Sequence, residues 1–176
     1  SYGTLEPDIR SHYSPELGRE LRYRLFLPPS YYERLDDHYP VLYAQDGQAQ
    51  FRDHPDPIDG HSWRMDEALN ELYDLSAVQE VIVVAIYTDY DRIELLSPMP
   101  DPRYGGGRGA HYRDFLVNTL KPHIDSQYRT RAGMHAKIAP RATSIADLLV
   151  NGDRVGRDQN ENHRGDDEPR RQEDIF

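Results

Sequence analysis

Between Asp53 and His61 the chain holds three carboxylates (Asp53, Asp56, Asp59) and two imidazoles (His54, His61) within nine residues. Oxygen and nitrogen donors of this kind suit a metal ion, but their spacing does not. The carboxylates recur every third residue, whereas a calcium loop spaces them by two and closes on a distal Glu that is missing here. The segment reads as a solvated loop, and no metal is expected. A second candidate, Gly105–Ala110, can be laid over the dinucleotide pattern Gly-x-Gly-x-x-Gly/Ala. That motif must leave a strand directly, and here it follows a proline-bearing loop, so no nucleotide or other cofactor is expected. Arg92 and Glu94 stand just past an apolar run, where open α/β sheets place their ligands. They either bind substrate or pair with each other as surface charges, and both readings stand.

Composition removes other chemistry. The 176 residues carry 21 basic and 31 acidic side chains, a net charge of −10, which argues against nucleic acid as a partner. There is no cysteine, which excludes thiolate metal sites and cysteine nucleophiles. No apolar run approaches the ~18 residues of a membrane helix, so no membrane partner is expected. The chain opens at Ser1 with no charged-then-apolar leader, leaving its compartment open with the cytoplasm favoured.

The elements that must position these residues follow from periodicity. Glu20–Leu27 alternates, with Leu21, Tyr23, Leu25 and Leu27 on one face and a largely polar second face. Thr4–Tyr13 is a weaker extended segment that the turn Ser14–Gly18 would fold back as a hairpin. Pro40–Ala44 is a short strand stopped by Gln45-Asp46-Gly47. Ser62 would cap a helix reaching about Leu75, with Trp63, Met65, Ala68, Leu69, Leu72 and Leu75 on its buried face. Val81–Tyr87 is apolar on both faces, the pattern of a central parallel strand covered on both sides. Tyr112, Phe115, Leu116, Thr119, Leu120 and Ile124 define a second helix that Pro122 should kink or end. Ala136–Ala139 is a brief strand and Ala142–Val150 a short helix. This order predicts an α/β sheet with helices on both faces, in a domain spanning 1–150. Of the 26 residues from Asn151 to Phe176, 13 are Asp, Glu or Arg, so 151–176 is expected to be a disordered charged tail.

Seven segments stand out together: Leu17-Gly18-Arg19, Leu25–Tyr31, Tyr39–Gln48, Val81–Tyr87, Arg92-Ile93-Glu94, Gly105-Gly106-Gly107, and Leu120–Asp125 with Tyr128-Arg129-Thr130. In this order they resemble the putative-esterase family of α/β-hydrolases, which includes enterochelin esterases, esterase D-like enzymes, feruloyl esterases and mycolyltransferases. The resemblance implies an α/β-hydrolase-like sheet and hydrolysis of a small-molecule carboxylic ester by serine acylation, with no cofactor. It further implies an oxyanion-binding backbone N–H from Gly47 or Gln48, and a nucleophile on the turn after the strand ending at Ala139.

At that turn the sequence departs from the family. The best fit to Gly-x-Ser-x-Gly puts Ser144 at the nucleophile, with Ala142 and Ala146 at the glycine positions and two extra residues ahead of them. Only 32 residues follow Ser144, where the family needs about 100 more. The resemblance implies a histidine base later in the chain, and His163 is the sole downstream histidine. The expectation is therefore an N-terminal half of a serine esterase, truncated or frame-shifted after Ile138, and weakly active or inactive. The alternative is a non-catalytic binding piece that self-associates through an open sheet edge.

Overall fold

A computed structural model describes residues 1–53, 60–131 and 137–139. The expected helix 142–150, Ser144, His163 and the tail 151–176 lie outside the described residues, as do 54–59 of the carboxylate–histidine loop.

Strand β1 (Thr4–Leu5), β2 (Arg10–Ser14) and β3 (Arg19–Leu27) open the chain, and both short strands pair antiparallel with β3. The turn between β2 and β3 is closed by the Gly18 N–H donating to the Ser14 carbonyl at 2.8 Å, with Gly18 in the left-handed region at φ 71°. β4 (Val41–Ala44) follows, then α1 (Met65–Asp74) and β5 (Ile82–Ile86). After β5 come the short helix α2 (Arg92–Leu96) and a two-stranded ribbon of β6 (Pro100–Asp101) and β7 (Gly105–Gly106). α3 (Gly109–Asp114) then runs through a π-helical stretch, Phe115–Leu120, into α4 (Lys121–Gln127). β8 (Lys137–Ala139) completes a sheet ordered β1-β3-β5-β4-β8.

The sheet is built on alternation. Tyr23, Leu25, Leu27, Tyr43, Ile82, Val84 and Ile86 point to one face, where Tyr112, Phe115, Leu116, Leu120 and Ile124 cover them. Phe26, Leu42, Ala44, Val83 and Ala85 point to the other, under Phe51, Met65 and Leu69. Helices thus cover both faces, as the patterning predicts.

Three expectations need correction. β5 is not flanked by parallel strands on both sides: it is parallel to β4 and antiparallel to β3. An apolar run on two faces reports that both faces are covered, and says nothing of neighbour direction. The second face of β3 is largely polar as expected, with Glu20 and Arg22 exposed, although Arg24 and Phe26 are buried there. Trp63 is 57% exposed and precedes the helix, which starts at Met65 after Arg64 takes a left-handed conformation. The Ser62 hydroxyl accepts the Arg64 N–H at 3.2 Å, so it braces the bend rather than the helix, and Leu75 is exposed. Pro122, lastly, does not end the helix. The π-helical stretch hands over just before it, with the Lys121 N–H reaching five residues back to Leu116, so Pro122 falls in the first turn of α4 where a missing N–H is tolerated.

Candidate functional site

The parallel strands β4 and β5 end side by side, and the turns that leave them are tied together by side chains. Asp46 leaves β4 in the left-handed region (φ 54°, ψ 46°), a conformation that Asp tolerates better than most residues. Its carboxylate accepts from the Thr88 hydroxyl at 2.6 Å and from Arg92 Nε at 2.9 Å on each oxygen. Gln48 is buried, and its side-chain oxygen accepts the backbone N–H groups of Thr88 (3.2 Å) and Asp89 (3.4 Å). Between the two, Gly47 lies flat on β5: a Cβ there would fall 2.7 Å from the Ala85 carbonyl. Only glycine fits.

The turn itself is a 3₁₀ turn over Gly47–Ala49, whose first internal bond is the Ala49 N–H to the Asp46 carbonyl at 2.9 Å. The N–H groups of Gly47 and Gln48 precede that bond and are not engaged within the turn. Behind the turn, the Tyr112 hydroxyl donates to the Gln45 side chain, and Gln50 Nε2 donates to the Gln45 carbonyl at 2.5 Å. Burial, with the nearby Asp46 carboxylate, pushes the Tyr112 hydroxyl far above the usual phenol range, so it acts as a neutral donor.

Arg92 and Glu94 do not pair with each other. Arg92 spends its Nε on Asp46, while a Glu94 oxygen accepts the Gly106 N–H at 3.3 Å, tying the β6–β7 ribbon to α2. Gly105 and Gly106 belong to that ribbon. In the carboxylate–histidine loop, Asp53 is a partner for buried Arg24, taking two bonds of 2.9 Å. Among the described residues no three His, Asp or Glu side chains gather to hold a metal ion, and no helix is long and apolar enough to cross a membrane. Asp46, Thr88 and Tyr112 are the site residues that sequence reasoning missed. The only signal was the Gln-Asp-Gly stop itself, because the partners lie 42 to 67 residues further on.

Residues 14–139 match the family described as "Putative esterase", well over half of the chain. The chain belongs to this esterase family. Among solved structures, an IroE-like serine hydrolase from Shewanella oneidensis is 26% identical, with a TM-score of 0.53 over 72% of this chain and 40% of its own. A ferulic acid esterase (21% identity, TM-score 0.54, 78% and 47% covered) and the BES protein from Bacillus cereus (20%, 0.54, 74% and 48%) share the fold. This esterase-family chain spans less than half the length of each of them. No curated protein is close enough to it in sequence to count as a relative.

Proposed function

We propose that this chain serves the hydrolysis of a small-molecule carboxylic ester by serine acylation, and that the β4 exit turn is its oxyanion-binding half. The observation that carries this reading is the fixed turn itself. The Gln48 side chain is spent on Thr88 and Asp89, and that of Asp46 on Thr88 and Arg92, so the turn's remaining offer is backbone N–H. Donors held in place before charge develops need no reorganisation when the carbonyl oxygen becomes an oxyanion, and one such donor is worth about 2.7–4 kcal/mol of barrier. Membership of the esterase family supports the reaction class.

In this reading the Ser144 hydroxyl attacks the ester carbonyl, His163 takes its proton, and Gly47 or Gln48 N–H receives the oxyanion. Collapse expels the alcohol, which takes the proton back, and water then releases the acid from the acyl-serine. Arg92 and Glu94 border the entry of substrate. The test is hydrolysis of p-nitrophenyl acetate and butyrate by the purified chain. Turnover is expected to be slow and to disappear in Ser144→Ala. A rate that survives this change removes Ser144 from the mechanism, and a rate untouched by Gln48→Ala removes the turn.

A further inference from the structure

β2 carries chemistry that ester hydrolysis does not use. Its antiparallel register sets Arg10 opposite Tyr23 and His12 opposite Leu21. Leu21 and Tyr23 lie on the core face that α4 covers, so Arg10 and His12, sharing that face by the two-residue repeat, extend it beyond its apolar part. There His12 stacks on His123 of α4, ring centroids 4.1 Å apart and planes 22° from parallel. The Tyr23 hydroxyl lies 3.2 Å from His123 Nε2.

The surroundings favour a neutral ring at His123. From β2, Arg10 brings a cation that is paired to Glu6 at 3.0 Å and lies 5.8 Å from the centre of the Tyr128 ring. From β3, Tyr23 brings a phenol that burial keeps neutral. On α4 the Asp125 carboxylate is taken by Lys121 at 2.5 Å and by the Thr130 hydroxyl at 2.7 Å. The hairpin's own carboxylate, Glu16, accepts from Thr119 and Ser14. Each of these carboxylates is thus committed to another donor. A proton on one ring would put an imidazolium against its neighbour and near a guanidinium, and a proton on both would set two cations about 4 Å apart.

We propose that the His12–His123 stack is a proton-operated fastener, holding β2 against α4 while both rings are neutral and releasing it under mild acid. The element with two states is β2, which pairs with β3 alone. His123 resists protonation for reasons visible in the packing: burial first, then His12 and Arg10. Its folded pKa lies below the ordinary 6.5, so the contact contributes in full above that value and is lost as the pH falls through the folded one. The reading stands whether or not the chain hydrolyses esters.

The test combines histidine side-chain NMR with amide exchange on the full chain between pH 8 and 5. The two imidazole signals that vanish one at a time in His12→Gln and His123→Gln, out of eight histidines, identify the pair. The His123 ring is expected to titrate below 6.5. Between pH 7.5 and 5.5, amide protection over Arg10–Ser14, corrected for intrinsic rates, is expected to fall about tenfold more than over Ile82–Ile86. In either variant that difference is expected to shrink to less than about twofold. Titration of His123 at or above 6.5, or β2 protection that follows the central strand, overturns the proposal. Should a variant fail to fold, the wild-type titration and exchange decide alone.

Discussion

The parallel strands β4 and β5 have polar residues at both ends, and the two ends use them differently. At the carboxyl ends, the acceptors Asp46 and Gln48 pull the neighbouring turn onto themselves through Thr88, Asp89 and Arg92. At the amino ends, the donor Arg129 does the binding. It lies 4.2 Å from the centre of the Tyr31 ring and donates to the carbonyls of Tyr31, Arg34 (2.5 Å) and Asp37 (3.2 Å). A hollow of about 430 Å³ opens at this second end, lined by Ser30, Tyr39, Glu80 and Arg131 among others. Its groups answer one another: the Ser30 hydroxyl meets both Tyr39 and Glu80, and Arg131 Nε reaches the His38 carbonyl at 3.0 Å. One end binds backbone carbonyls through a guanidinium, while the other is held by side-chain oxygens that accept from the neighbouring turn.

The sharpest way to break this contrast is Gly47→Ala. The added methyl would meet backbone atoms of β5, a strand buried on both faces that cannot step aside. Overpacking against a fixed wall should cost about 3 kcal/mol. Thermal melting should fall by roughly 10 °C. A variant that melts with the parent would mean that the turn floats above β5, and the preorganised donors would go with it.

Arg129→Ala tests the clamp end. Losing a stacked guanidinium and its bonds to three carbonyls should cost about 2–3 kcal/mol in denaturant unfolding. The turn at Asp46–Gln48 should be untouched, so any ester hydrolysis corrected for folded fraction should keep its rate. A fall in the corrected rate would show that the two ends are coupled and would erase the distinction between them.

How much of this was legible in the sequence depends on the distance over which each feature is made. β5 could be read because burial on both faces is written in seven consecutive residues, and the helix over 109–127 because its apolar positions recur at three and four. Trp63 is in phase with Leu69 and yet is exposed. The backbone turns left-handed at Arg64, and periodicity does not register a bend that cuts a residue off from its helix. Pro122 does not end the helix because the π-helical stretch before it changes which carbonyl must be satisfied, a shift that proline's cost in a plain α-helix does not reveal. The site was half legible. The strand stop at Asp46-Gly47 pointed to a turn, but the reach of Asp46 to Arg92, and of Gln48 to Thr88, is set by sheet order. One sequence does not print sheet order until two parallel strands have been placed side by side.

Asp46→Asn makes the finest cut, because it separates charge from shape. Asn occupies the same volume, tolerates the left-handed conformation as well as Asp does, and keeps an oxygen for the Thr88 hydroxyl. What it loses is the charge facing Arg92, whose side chain is 42% exposed, and exposed ion pairs contribute less than about 1 kcal/mol. Unfolding free energy should therefore change by about 0.5 kcal/mol. If the turn is held by hydrogen-bond geometry, any ester-hydrolysis rate should stay within about threefold of the parent. A loss nearer a hundredfold, with stability unchanged, would assign the Asp46 charge a part in the reaction itself. It would move Arg92 with it, since a guanidinium freed from its carboxylate turns toward whatever anion enters the site.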